Sequence, residues 1–138
     1  MNVYVDSSVI LRLVLGQRNA LREWRRVSSG VVSALAEVEC LRTLDRLRIA
    51  EGLGDAEIVR RREAVFKILE TLTVVEPTRP VLARAAQPLP VVLGTLDAIH
   101  LATALLWHEQ TEADLVLATH DAALGLAARS VGFRVVGL

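Results

Sequence analysis

Acidic residues that follow short apolar runs constrain this chain more than any other feature. Asp6 directly follows Val3-Tyr4-Val5, and Asp121 comes just after the apolar run 115–118. In an open parallel sheet, ligands bind beyond the carboxyl ends of the strands. Carboxylates brought there from distant segments form an oxygen-rich pocket, and oxygen ligands are those that Mg²⁺ and Mn²⁺ prefer. The sequence therefore predicts a divalent-metal site at one edge of a parallel sheet, of the kind that hydrolyses phosphodiesters.

The length and composition predict a single domain spanning residues 1–138. A chain of this size buries roughly two-thirds of its unfolded surface, so its core needs no disulfide or structural metal. Hydrophobic residues make up 52% of the chain and are spread along it, which suits a buried sheet with helices on both faces. The single cysteine, Cys40, excludes an internal disulfide, and its apolar neighbours predict a place in the core.

The charges balance, with 16 basic and 16 acidic residues, so net charge alone does not indicate a nucleic-acid partner. Lys67 is the only lysine, and the arginines that make up the rest suit bidentate contacts to phosphate. Five of them lie early in the chain and could equally form a solvated helix face: Arg12, Arg18, Arg22, Arg25 and Arg26. No apolar run approaches the roughly 20 residues that cross a bilayer, and the start does not resemble a signal peptide. We expect a cytoplasmic protein without a membrane partner.

Apolar runs alternate with helix-like stretches along the chain. The runs predict strands at 3–5, 31–32, 73–75, 115–118 and 134–136. The intervening stretches predict helices at 7–15, 19–26, 34–50, 56–72, 81–86, 95–108 and 122–130, with Asn19, Ser33, Asp55 and Thr95 as candidate caps. Strands that alternate with helices indicate right-handed crossovers and a parallel sheet, which is an α/β fold.

Three of the acids also have purely structural explanations. Asp6 and Asp121 each precede a predicted helix and could serve as its N-cap. Asp97 lies in the first turn of its helix, where the helix dipole favours a carboxylate by about 0.3–1 kcal/mol. If the acids instead converge, their mutual repulsion should raise the pKa of at least one of them.

Glu39 is the most ambiguous acid. It shares a helical stripe with Arg42, and this spacing is that of a surface ion pair worth about 0.2–0.5 kcal/mol. Glu37, two residues earlier, points nearly the opposite way, and helical geometry alone does not choose between the two glutamates. His100 lies one turn after Asp97 and His120 adjoins Asp121, so either could support a metal ligand, but neither has the spacing of a zinc site.

Four segments of the chain, taken in order, resemble the PIN domains of VapC-type ribonuclease toxins from prokaryotic toxin–antitoxin pairs. They are Val-Tyr-Val-Asp6-Ser-Ser-Val, Ala-Glu-Val-Glu39-Cys-Leu-Arg42, Thr-Leu-Asp97-Ala-Ile-His-Leu-Ala-Thr-Ala and Leu-Ala-Thr-His-Asp121-Ala-Ala-Leu. The likeness covers essentially the whole chain. His120 departs from the residue that the family often has before the last acid.

The resemblance implies a three-layer α/β/α sandwich with a short central parallel sheet. It also implies an endoribonuclease that depends on Mg²⁺ or Mn²⁺, forms a homodimer and is held inactive by an antitoxin protein. Asp6, Glu39, Asp97 and Asp121 take the four acidic positions that bind metal and catalyse, which favours Glu39 over Glu37. Arg42 matches a basic residue of the family, and Ser7 and Arg42 are the positions where we expect substrate contacts.

Two other classes of protein remain open from the residues alone. A phosphotransfer or phosphohydrolase domain also places acids at strand ends. However, a haloacid-dehalogenase-like hydrolase would have an acid where Ser8 stands, and a receiver would have a lysine after a late strand. The other alternative is a PIN-like module that binds a partner without catalysis. An RNA cleavage assay with an Asp6→Ala control separates the three.

Overall fold

The computed structural model describes residues 1–138, which form five strands and six α-helices. The strands are β1 (Asn2–Val5), β2 (Ser29–Ser33), β3 (Thr73–Val75), β4 (Leu115–Ala118) and β5 (Arg134–Val136). The helices are α1 (Ser7–Val14), α2 (Leu35–Glu51), α3 (Asp55–Glu70), α4 (Arg79–Ala85), α5 (Thr95–Thr111) and α6 (Ala122–Ser130). None of these helices is long and apolar enough to cross a membrane.

All five strands run parallel in the order β3-β2-β1-β4-β5. β1 therefore lies at the centre, paired with β2 on one side and with β4 on the other. A central strand is covered on both faces, and Val3, Tyr4 and Val5 are accordingly all fully buried. The parallel α/β sheet predicted from the sequence is confirmed.

Successive side chains of β1 enter two separate cores, because residues alternate between the faces of a strand. Val3 and Val5 pack with residues of α1, α2 and α3 on one face of the sheet. Tyr4 packs on the other face with residues of α5 and α6, and α4 packs against α5. Cys40 is fully buried in the first core, as predicted. The sheet thus separates two helical layers in an α/β/α sandwich.

Several predicted element boundaries were wrong. Residues 19–26 do not form an α-helix capped by Asn19; only Arg22–Arg26 are helical, as a 3₁₀ turn. Ser33 ends β2 instead of capping α2, although its hydroxyl still accepts a hydrogen bond from the backbone N–H of Leu35 at 3.2 Å. The N-caps of α3 and α5 are Gly54 and Gly94, and the predicted caps Asp55 and Thr95 are the first residues of those helices.

The carboxyl edge of the sheet gathers the residues of interest. The backbone ladder continues one residue past the assigned strands, because the N–H of Asp6 donates to Ala118 O at 3.0 Å and that of Thr119 to Val136 O at 3.1 Å. Asp6 and Thr119 are consequently fixed side by side beyond the central strands. This edge is where a parallel sheet places a ligand site.

Candidate active site

Asp6 is buried beside the end of β4, with 3% of its surface exposed. Although it stands at the N-cap position of α1, its side chain makes no capping hydrogen bond. Its Oδ2 atom instead accepts hydrogen bonds from Ser8 Oγ at 2.6 Å and from Thr119 Oγ1 at 2.8 Å. The capping explanation for Asp6 is therefore wrong, and the two hydroxyls hold one oxygen of the carboxylate while the other faces the acidic site.

Glu39 contacts a histidine and makes no ion pair with Arg42. Its Oε1 atom lies 2.5 Å from Nε2 of the fully buried His100, and the same nitrogen lies 3.9 Å from Oδ1 of Asp6. Glu39 belongs to the helical layer on one face of the sheet and His100 to the layer on the other. Elements from opposite layers meet only beyond the edge of a sheet, so Glu39 reaches the site that begins at Asp6.

His100 is held from both ends. Its Nδ1 atom lies 2.7 Å from the hydroxyl of Tyr4, which is fully buried in β1. Burial and the nearby charge of Asp6 raise the pKa of Tyr4 well above its usual value, so its hydroxyl keeps its proton. Burial alone would lower the pKa of His100, but the hydrogen bond with Glu39 and the charges of Asp6, Glu39 and Asp97 raise it overall. Nε2 carries a proton both in the imidazolium and in the neutral ring that accepts from Tyr4, so it donates to Glu39 in either form.

Asp97, in the first turn of α5, has the most perturbed carboxyl of the site. Its pKa is raised to about 6, first by burial and then by the charges of Asp121, Asp6 and Glu39, while the charge of His100 acts in the opposite direction. The charges of three other acids therefore reach the Asp97 carboxyl. The repulsion expected from clustered carboxylates is therefore present in the structure.

Asp121 makes two hydrogen bonds, one to its own helix and one towards Asp6. Its Oδ1 atom accepts a hydrogen bond from the backbone N–H of Leu124 at 2.9 Å, so it caps α6 as one explanation predicted. Its own N–H donates to Thr119 Oγ1 at 3.0 Å, and the same hydroxyl donates to Asp6. The cap therefore does not remove Asp121 from the site, because Thr119 links it directly to Asp6.

The two residues predicted to contact substrate line one cavity of about 270 Å³ next to Glu39. Ser7 is buried at its base, whereas Arg42 is exposed and has no carboxylate within ion-pair distance. The alternative glutamate, Glu37, lines a different cavity between α2, α3 and β3. The structure thus places Glu39 and Glu37, between which helical geometry did not choose, in two different cavities.

The chemistry of the acids fits a hydrated divalent cation. The four acids offer carboxylate oxygens, which are hard ligands, and their charge raises the pKa of Asp97 instead of being neutralised by lysine or arginine. No three of the Asp, Glu, His and Cys side chains converge closely enough to enclose an ion by themselves. Mg²⁺ does not require such a cluster, because it keeps several waters and takes only one or two direct carboxylates.

Comparison with known proteins assigns the family. The model of the PIN domain matches residues 3–129. The chain is also 36% identical over 138 residues to Ribonuclease VapC46 of Mycobacterium tuberculosis, covering 97% of this chain and 95% of that protein. The chain is a PIN domain of the VapC type. A second relative of this PIN domain, Ribonuclease VapC47 of M. tuberculosis, is 30% identical over 95% of the chain and 93% of its own length.

Solved structures support the same fold for the PIN domain. The structure of FitAB bound to a DNA fragment superposes with a TM-score of 0.72 at 17% identity, covering 96% of this chain and 92% of that one. A toxin–antitoxin complex from Klebsiella pneumoniae gives a TM-score of 0.68 at 18% identity, covering 97% and 95%. Identities this low show the fold alone.

The sequence did not reveal the residues that hold the acids. Tyr4, Ser8 and Thr119 were not predicted to take part, and His100 was noted only for its spacing from Asp97. Ser8 and Thr119 bond to Asp6, and Tyr4 bonds to His100. The longest of these contacts joins residues 113 positions apart. A polar residue at the end of a fully apolar strand, such as Thr119, was the one local signal available.

Proposed function

We propose that this PIN domain is a metal-dependent endoribonuclease and the toxin of a toxin–antitoxin pair. Its relatives with matching length are named ribonucleases, and a toxin–antitoxin complex shares its fold. In this proposal the substrate is RNA, the cofactor is Mg²⁺ or Mn²⁺, and the protein works in the cytoplasm. The family assignment leaves no support for the phosphotransfer alternative.

The observation that carries the proposal is the set of coupled acids at the carboxyl edge of the sheet. Asp6, Glu39, Asp97 and Asp121 come from four different elements, and three of them raise the pKa of the fourth. A fold that needed these acids only as caps would not collect uncompensated charge in one place. Such charge favours a cation, and a bound divalent ion lowers the pKa of an attacking water and offsets the charge that builds on the phosphate.

Each acid then has a definite task. Asp6 and Asp97 bind the ion directly, because Asp6 is held by two hydroxyls and Asp97 carries the least favourable charge. Glu39 and Asp121 orient water around the ion, since Glu39 is fixed by His100 and Asp121 by its capping bond. Ser7 and Arg42 contact the RNA from the adjacent cavity, where the guanidinium meets a phosphate.

The antitoxin in this proposal covers an apolar groove of about 350 Å³ that is lined in part by Phe66, Leu69 and Val74. Phe66 and Val74 are 37% and 45% exposed, which is unusual for large apolar residues that share a concave surface. The groove starts at Ser33 and Ala34, at the carboxyl end of β2, so a partner that fills it lies close to the acidic site. We further propose that the toxin is a homodimer.

The proposal is tested with a pair of matched variants in α2. Wild-type protein should cleave single-stranded RNA in Mg²⁺ or Mn²⁺ and stop when EDTA is added. Glu39→Gln should lower the rate by at least about 100-fold, or about 3 kcal/mol of transition-state stabilisation, whereas Glu37→Gln should keep it.

Two results would contradict the proposal. Cleavage that persists in EDTA would show that the activity does not depend on a metal. Intact RNA under every metal condition, with a folded wild-type protein, would instead support a PIN-like module that only binds a partner.

A further inference from the structure

A second polar cavity lies on the opposite side of Asp6 from the one that holds Arg42. It has a volume of about 370 Å³ and lies beyond β4 and β5 and beside α1. We call it the β5-side cavity, and its lining includes Arg12, Asn19, Arg22, Glu23, His120 and Gly137. The family motifs do not include the two arginines, and the function proposed above does not use them.

The wall of this cavity is tied to the acidic site by hydrogen bonds. The backbone N–H of His120 donates to Ser8 Oγ at 2.9 Å, and Ser8 in turn donates to Asp6. The imidazole of His120 donates from Nδ1 to the carbonyl of Gly137 at 2.6 Å, which fixes the ring. Arg12 follows Ser7 by five residues on α1, which is roughly 7.5 Å along the helix axis. The wall of the cavity is therefore linked to Asp6 through two hydrogen bonds.

The charge of the β5-side cavity suits an anion. Arg12 donates from one guanidinium nitrogen to the carbonyl of Asn19 at 3.2 Å, which orients the group, and neither Arg12 nor Arg22 has a carboxylate within ion-pair distance. Glu23 also lines the cavity, so its charged lining residues include two arginines and one glutamate. Because His120 already donates from Nδ1, the neutral ring offers only an acceptor at Nε2, and a phosphate would take its hydrogen bonds from the arginines.

We propose that the β5-side cavity binds a backbone phosphate of single-stranded RNA next to the bond that is cut. The strand then runs from the cavity of Arg42 and Arg46, across Asp6, to Arg12 and Arg22. This inference rests on the proposed function, because it takes RNA as the substrate. It explains how a protein with no net charge and an acidic centre binds a polyanion: arginine-lined cavities hold the phosphates on both sides of that centre.

Binding of RNA to two double variants with equal charge changes tests the inference. Arg12→Gln/Arg22→Gln removes the proposed contacts. Arg129→Gln/Arg134→Gln is the control, because Arg134 begins β5 and Arg129 lies in the last turn of α6, at the amino edge of the sheet. Both are made in the Glu39→Gln background with Mg²⁺, and the probe is a labelled single-stranded RNA of about 12 nucleotides.

We expect the first pair to weaken binding at least about tenfold and to lower the slope of log affinity against log salt by about 0.7 for each lost contact. The control pair should change affinity by less than about twofold. With Glu39 restored, the first pair should raise KM for RNA and leave kcat nearly unchanged. The single variant Arg22→Gln, at an exposed position, should show the same effects more weakly and guards against misfolding caused by loss of the Arg12 bond to Asn19.

The outcomes separate this inference from the proposed function. If the two double variants bind RNA with equal affinity, the inference is wrong. The same result is expected if the cavity instead binds an acidic segment of a protein partner. If the first pair loses RNA binding but the wild-type protein cleaves no RNA in Mg²⁺ or Mn²⁺, only the proposed function is overturned. If inorganic phosphate alone displaces the RNA from wild type and from the first pair equally, the arginines do not form the phosphate site, and the inference is wrong.

Discussion

Among the four acids, Asp97 is the residue whose negative charge is least favourable in the folded protein. Its pKa in the folded protein is about 6, compared with 3.8 for an unperturbed carboxyl. The folded state therefore binds more protons than the unfolded state between these values. The stability that Asp97 contributes is present in full below about pH 3.8 and is lost as the pH rises through 6. At neutral pH the charge on Asp97 therefore opposes folding.

Asp97→Asn should remove this penalty. We expect the metal-free variant to be more stable than wild type at pH 7, by on the order of 1 kcal/mol after allowing for solvent screening of a partly exposed group. The difference should shrink as the pH falls to about 4, where the wild-type carboxyl is protonated. Chemical denaturation at several pH values measures it, with the exposed Asp45→Asn as the control.

The same variant should lose RNA cleavage and most of its response to metal. Mg²⁺ stabilises only a folded state that binds it, by mass action, so it should raise the melting temperature of wild type much more than that of Asp97→Asn. If Asp97 acted only on the helix dipole, the variant would be destabilised by up to about 1 kcal/mol and Mg²⁺ would be irrelevant. A destabilised variant that still cleaves RNA would rule out a metal role for Asp97.

His100 should act on cleavage through Glu39. His100→Gln keeps a donor near Glu39 but not the fixed geometry between Tyr4 and Glu39, so we expect a clear loss of cleavage in an otherwise wild-type protein. In the Glu39→Gln background the same change should lower the rate little further, because the carboxylate that His100 holds is already absent. A double-mutant cycle on cleavage rates gives the coupling. Additive effects of the two changes would show that His100 does not work by holding Glu39.

Motifs predicted the four acids but not the side chains that position them. Asp6, Glu39, Asp97 and Asp121 stand in segments that resemble a family, so each could be named from the sequence. The bonds that fix Asp6 come from Ser8 and Thr119, and the bond that fixes Glu39 comes from His100. Two of these three partners lie more than 60 positions from the acid that they hold, and only the folded sheet brings them together.

The helices α1 and α6 are each preceded by an aspartate, and the two aspartates make different hydrogen bonds. Asp121 caps α6 through the N–H of Leu124, whereas Asp6 makes no capping bond to α1. Both positions read alike in the sequence, as an acid before a helix. Asp6 differs because two hydroxyls, from α1 and from the segment after β4, take the oxygen that would otherwise cap the helix.

This difference predicts distinct responses at position 121. Asp121→Ala removes the cap and the charge, so it should destabilise the protein by about 1 kcal/mol. Asp121→Asn keeps an oxygen that accepts from Leu124 and should cost little stability. Both variants should lose RNA cleavage if Asp121 serves the metal. Urea denaturation and cleavage assays on the pair decide this, and an active Asp121→Asn would limit Asp121 to its capping role.

Element predictions followed the apolar runs, and all five strands were found. β1, β2 and β4 lie largely in the two cores, whereas the edge strands β3 and β5 contain no buried residue and were found from their valine-rich runs alone. The predicted helix 19–26 was wrong, because only Arg22–Arg26 are helical, as a 3₁₀ turn. No residue of that turn is buried, so tertiary packing adds little to a segment too short to form a stable helix alone.

For the whole molecule, the alternation of elements predicted the parallel sheet but not its strand order. The order places β1 between β2 and β4, and this arrangement alone brings Asp6 next to Thr119 and Asp121. Local sequence contains no signal for which strands pair. The resemblance to PIN domains implied the α/β/α sandwich but did not give the order of its strands.

The expected homodimer rests on apolar surface that the fold leaves uncovered. On α3, Val59 and Phe66 are 51% and 37% exposed. In the segment 89–93 before α5, Val92 is 99% exposed and lines a shallow cavity with Leu89, Val91 and Leu93, which are partly buried against the second core. Single exposed apolar residues are common, but a fully exposed one that shares a cavity with other apolar residues favours a contact surface.

We therefore expect Val92→Glu to weaken self-association. A charge placed in a buried apolar contact should raise the dissociation constant at least about tenfold, or about 1.4 kcal/mol. Ile49→Glu is the matched control, because Ile49 is 73% exposed but stands among charged residues near the end of α2. Sedimentation equilibrium at micromolar concentrations should show a dimer for wild type and Ile49→Glu, and increasing monomer for Val92→Glu. A wild-type protein that stays at 15.1 kDa at every concentration would contradict the dimer, and equal association of both variants would place the interface elsewhere.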